Sequence, residues 1–89
     1  MAYTDVELAE ARQAANAGKC DDLYKLGLIY STGLGGEVDL IQAHMWFNLA
    51  ALQGSQAAKE CRRELSGMMS PMEIASAQKA AREWLETRH

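Results

Sequence analysis

Apolar positions recur every three or four residues in five stretches, and the breaks between them carry residues that stop or start helices. Thr4-Asp5-Val6-Glu7 has capping-box spacing and opens a helix that runs to about Ala17. A second helix is predicted from Asp21 or Asp22 to about Thr32, and a third from Leu40 to Gln53, with Asp39 as N-cap and Gly54 as C′ residue. Ser55 caps a fourth, from Gln56 to about Met69. Ser70-Pro71-Met72-Glu73 is a second capping box with Pro at N1, and its helix extends to about Thr87. Between the second and third helices, Ser31 to Val38 holds Gly33, Gly35 and Gly36, whose access to positive φ lets the chain turn sharply.

Small residues stand where helices must touch, at Gly27, Ala43, Ala50 and Ala51, with Leu26, Tyr30, Trp46 and Phe47 set around them at knob-and-hole spacing. On the third helix the stripe Ala43, Trp46, Phe47 and Ala50 is apolar, but so are Ile41, Met45, Leu49 and Leu52. A helix apolar on both sides is buried on both sides. Either the fifth helix folds back over it as a lid, or a second copy of the chain covers it, making Ile41, Met45, Leu49 and Leu52 a self-association face and the protein a homodimer. The lid's own stripe is Ile74, Ala77, Ala81, Trp84 and Leu85. Its tether favours the lid, since each such side chain buried contributes roughly 1.5 to 3 kcal/mol.

The lettering repeats. Ala14-Ala15-x-x-Gly18 returns as Ala50-Ala51-x-x-Gly54, 36 residues on. In full, the phrase is Leu26-Gly27-x-x-Tyr30-x-x-Gly33-x-Gly35-x-x-x-Asp39-x-x-x-Ala43-x-x-Trp46-x-x-x-Ala50-Ala51-x-x-Gly54. It resembles the Sel-one-like repeat, a relative of the tetratricopeptide repeat, and the match runs from Ala14 to Ala58. The resemblance implies an all-α, α/α solenoid of antiparallel helix hairpins with right-handed superhelical stacking, acting as a protein-protein scaffold or adaptor. It also implies that the signature residues are structural. One departure concerns the loop, where the family has Val after the second glycine and this chain has Gly36; Val38 is then the expected apolar plug. Within a single domain over 1–89, the period assigns 4–17 to a cap helix, 21–54 to the complete repeat, 55–69 to a degenerate first helix and 70–88 to the lid. Glu10 falls at the position of Trp46, and Arg62, Arg63 and Ser66 fall at those of Leu26, Gly27 and Tyr30, so stacking is expected to stop on both sides.

Composition narrows the function classes. Net charge is −3 and no basic run exceeds Arg62-Arg63, which argues against nucleic acid. No stretch reads as a signal peptide or membrane span, so the cytoplasm is the expected location. Cys20 and Cys61, 41 residues apart, read as free thiols. A redox sensor through either is the outlying alternative, with Arg62 and Arg63 beside Cys61 as its activators.

Chemistry-bearing patterns are weak. His44 and His89 with the two cysteines lack metal-ligand spacing, and His44 reads as a helix-surface residue. Ser31, Ser55, Ser66, Ser70 and Ser76 lie outside any nucleophile elbow, and the glycine loop lacks a P-loop's strand and Lys. No enzyme, metal or cofactor is expected. The binding of another protein or peptide is. On the second helix, Tyr24, Lys25, Leu28 and Ser31 are not spent on the signature, and one period later stand Glu60, Cys61, Glu64 and Gly67. Tyr24, Lys25, Leu28, Glu60 and Glu64 would form a shallow groove, with apolar anchors and an acidic edge, unless Tyr24 and Leu28 pack against neighbouring helices. Met68, Met69 and Met72 read as filler for a helix corner, with a promiscuous binding surface as the rival.

Overall fold

Helix starts are set by four short side chains. The Thr4 hydroxyl accepts the Glu7 N–H, the Glu7 carboxylate accepts the Thr4 N–H, both at 3.1 Å, and α1 spans Asp5–Ala15. Asp39 accepts from Gln42 N–H and starts α3, Leu40–Leu52. Ser55 accepts from Ala58 N–H and starts α4, Gln56–Ser66. Ser70 and Glu73 complete the second capping box at α5, Pro71–Glu86. Only α2, Cys20–Thr32, begins without a side-chain cap, on Lys19; Asp21 and Asp22 in its first turn favour the positive end of the helix dipole instead. These assignments come from a computed structural model that describes residues 4–88. The described residues are all-helical.

Four helices end one to three residues earlier than the pattern predicts. The largest shortfall is α4, which stops at Ser66 because Gly67, a poor helix former, is its C-cap. Gly33, at φ 77°, ends α2 and donates to the Ile29 carbonyl.

The third helix is the centre of the molecule. α2, α4 and α5 each pack on α3, and α1 packs on α2. Ala43, His44, Met45, Trp46, Phe47, Leu49, Ala50 and Ala51 are all buried. Across the α2–α3 contact, a β-carbon placed on Gly27 would stand 2.5 Å from the Phe47 ring, so glycine is needed there for close approach. On the other side Ala77 and Ala81 of α5 are buried, and Trp84 meets Trp46 edge to face at 5.9 Å. The lid therefore covers α3 within one chain. A radius of gyration of 12.0 Å matches the roughly 12 Å of a compact chain this long.

Five expectations need correction. Met45 and Leu49, offered as part of a self-association face should a second copy rather than the lid cover α3, are buried inside the single chain, with Ile41 half-buried against the core and only Leu52 exposed. His44 is not at the surface but 2% exposed, because α3 has no solvent face at that level. Val38 does not plug the loop; it is exposed, and Leu34 packs on the core in its place. Leu85 leaves the lid's stripe and is exposed. Of the three methionines at the α4–α5 corner only Met69 fills it, while Met68 and Met72 face outward. His89 lies outside the described residues.

Candidate functional site

Arg12, in the last turn of α1, and Asn16, its C-cap, lie one turn apart and so project on the same side. The Arg12 Nε donates to the Tyr30 hydroxyl at 2.8 Å, and Nη2 donates to the same oxygen. Because Tyr30 is buried, this bond fixes the guanidinium against the fold. Across from it on α3, the Trp46 indole N–H donates to Gln42 Oε1 at 3.1 Å, leaving the Gln42 NH₂ to donate elsewhere. The end of α5 closes the third wall. Trp84 stacks edge-on to Trp46, and the Arg88 guanidinium lies 4.2 Å over the Trp84 ring. Gly18, at φ 77° in the α1–α2 turn, faces both Trp84 and Arg88.

The result is a groove of about 350 Å³ lined by Arg12, Asn16, Gln42, Met45, Trp46 and Trp84. It combines aromatic and thioether surface with one cation and two amides, and among the described residues no carboxylate lines it. On the opposite flank of α1, a second hollow of about 350 Å³ is lined by Glu7, Glu10, Ala11, Ala14, Asp22 and Lys25. Glu7 there has its carboxyl held below the usual range by its bond to the Thr4 backbone and hydroxyl, more than by Lys25. The carboxylates of this corner are thus gathered on one side of α1 and the aromatic groove is on the other.

The groove expected on α2 and α4 is partly assembled. Tyr24 is half-buried and packs on Phe47 at 5.7 Å with a tilt of 47°. Burial, then Cys61 and Glu60 beside it, push its phenol above its ordinary pKa. Tyr24 and Glu60, one period apart in sequence, are therefore neighbours in space. Leu28 is half-buried against the core, whereas Lys25, Glu60 and Glu64 are exposed. Tyr24 and Leu28 spend much of their surface on packing. The second-face hollow near α4 lies instead among Gln56, Lys59, Glu60, Arg62, Arg63 and Ser66.

Behind that hollow is a polar cluster absent from the sequence reading. His44 Nε2 lies 3.0 Å from Ser66 Oγ, and Ser66 donates to the Arg62 carbonyl at 2.9 Å. With the hydroxyl proton so used, the imidazole carries its hydrogen on Nε2 and donates to Ser66. Nδ1 is buried without a partner among the described residues. Burial first, and then Arg62, lower the His44 pKa, so the ring is held neutral. Arg62 itself donates to Asn48 Oδ1 at 2.6 Å, which places a charged side chain where Leu26 sits in the preceding period.

Both thiols are free and half-buried. Cys20 Sγ donates to the Ala50 carbonyl at 3.6 Å, and Cys61 lies beside Tyr24. Among the described residues no three His, Cys, Asp or Glu side chains converge to hold a metal ion, and no helix is long and apolar enough to cross a membrane. Comparison of the chain with protein-family models, with curated proteins and with solved structures found no match.

In the sequence Trp46 and Trp84 read as packing residues, and nothing marks Arg12, Asn16 and Gln42 as a site. The i, i+4 pairing of Arg12 with Asn16 was visible. What brings the end of α5 against them depends on how the lid seats on Ala77 and Ala81, which has no local signature.

Proposed function

We infer that this protein is a non-catalytic scaffold of the Sel-one-like repeat type, an α/α solenoid fragment with right-handed stacking that holds another protein or peptide in the cytoplasm. The repeat part is supported by the neighbouring positions of Tyr24 and Glu60 and by the glycine contact at Gly27. The observation that carries the binding part is the groove over α3, where both tryptophans of the chain meet Arg12. Its volume lies within the range of about 300 to 1,000 Å³ typical of ligand clefts, and polar and apolar groups share its lining. Its aromatic and arginine lining has the composition of interface hot spots. A cytoplasmic setting agrees with two unpaired thiols.

Photo-cross-linking tests this reading. A photoreactive residue at Asn16 should give a discrete adduct with a protein of the native cytosol, and one at Tyr24 reports on the α2–α4 face. If neither position gives an adduct, the scaffold reading fails.

A further inference from the structure

The composition of the groove says more than that something binds. We propose that the cleft between α1, α3 and α5 takes a peptide segment carrying an acidic side chain next to an aliphatic or aromatic one, with the carboxylate on Arg12 and the apolar side chain on Trp46 and Trp84. The inference rests on the scaffold reading above.

Charge complementarity identifies the occupant. Among the described residues Arg12 is the one ionisable side chain in the lining, and the neighbouring carboxylates Glu7, Glu10 and Asp22 line the other side of α1. A guanidinium without a carboxylate partner in its groove favours an anion, and charge-assisted bonds to carboxylates are the strongest it makes. Its position is fixed beforehand, because Nε and Nη2 are bonded to the buried Tyr30 hydroxyl. Ordering it costs little on binding. The other arginine near the cleft, Arg88, lies on the Trp84 ring and keeps that indole in place.

The remaining lining suits a peptide. Gln42, oriented by the Trp46 indole, presents its NH₂, and Asn16 adds a second amide. Amides that both donate and accept match main-chain N–H and C=O groups. The half-buried Trp84 gives the apolar side chain most of its contact, with the 7% exposed edges of Trp46 and Met45 behind it. A single guanidinium with one edge already given to Tyr30 matches one side-chain carboxylate. Capture of a chain end, which uses convergent main-chain amides, would need more donors than Arg12 supplies.

The two tryptophans of the chain both line the cleft, so intrinsic fluorescence reads its occupancy directly. The probes are pentapeptides blocked at both ends, Ser-Glu-Leu-Ser-Ser and its Gln-Leu counterpart, titrated into the full chain. The expected result is a saturable change with the Glu-Leu peptide and binding of the Gln-Leu peptide weaker by about tenfold, or roughly 1.4 kcal/mol. In Arg12→Gln the preference disappears while the Gln-Leu affinity is kept, and Arg12→Lys restores part of it; melting curves establish that both variants are folded. Trp84→Phe, which keeps a ring at the position, weakens both peptides alike. No saturable signal, or equal binding of the two peptides by the native chain, overturns the proposal. So does tighter binding of a Gln-Leu peptide with a free carboxyl end, or a fluorescence change on concentrating the protein alone, which would seat a second copy in the cleft. Failure here with a surviving adduct at Asn16 removes the acidic-peptide assignment and leaves the scaffold reading.

Discussion

Gly27 and Gly67 are both helix-associated glycines, and their surroundings assign them opposite tolerances. A methyl on Gly27 would be driven into the Phe47 ring, which is 1% exposed and has no room to retreat. Gly27→Ala gains about 1 kcal/mol of helix propensity and loses about 1 to 3 kcal/mol to overpacking. The net expectation is a lower melting temperature, falling further for Gly27→Leu. At Gly67, φ is −69° and a β-carbon meets only the Glu64 carbonyl at 3.4 Å. Gly67→Ala is expected to melt at or above the native temperature, gaining up to about 1 kcal/mol through a less flexible unfolded chain. Calorimetry of the two variants side by side checks the pair. His44 makes the other residue-scale prediction. Its unfolded imidazole titrates near 6.5, and in the fold burial and then Arg62 lower that value. Between 6.5 and the lower folded value the unfolded chain binds more protons, so stability falls as pH falls through that window and is level above it. His44→Gln keeps a donor for Ser66 without a titrating ring. Urea midpoints measured from pH 7.5 downward should drop in the native chain and stay level in this variant.

At the scale of elements, α5 depends on alanines. Ala77 and Ala81 are buried to within 1% and let the lid's backbone approach α3. Ala77→Leu is expected to cost about 1 to 3 kcal/mol and to shift the emission of Trp46 and Trp84 to the red as water reaches them; an unchanged urea midpoint would contradict the packing described. The helices themselves were legible in sequence because their signals are local: Thr4, Asp39, Ser55 and Ser70 each act on amides within three residues. The double-sided apolar character of α3 likewise foretold its central place. His44 is buried for the same reason: a lone polar residue goes inside with the helix that carries it. The site was far less readable. Arg12, Gln42 and Trp84 come from three helices, and their meeting depends on the seating of α5, which a period of 36 does not describe.

At the scale of the molecule, chain order and spatial order diverge at one place. α3 packs on α2, α4 and α5, but α4 meets the rest chiefly through α3. It is also the most polar helix, with only Ala58 and Leu65 buried, and α5 continues onto α3 beyond it. A segment held by so little apolar surface opens at a lower free energy than the body it leans on. In native-state hydrogen exchange, the α4 amides are therefore expected to exchange as a group, ahead of those of α2, α3 and α5. Exchange of α4 only together with α3 would instead make the domain one cooperative unit. On the expected outcome, opening α4 uncovers His44 and frees Arg62 from Asn48 while the two indoles stay together, so a partially unfolded form would keep the Trp46–Trp84 cleft intact.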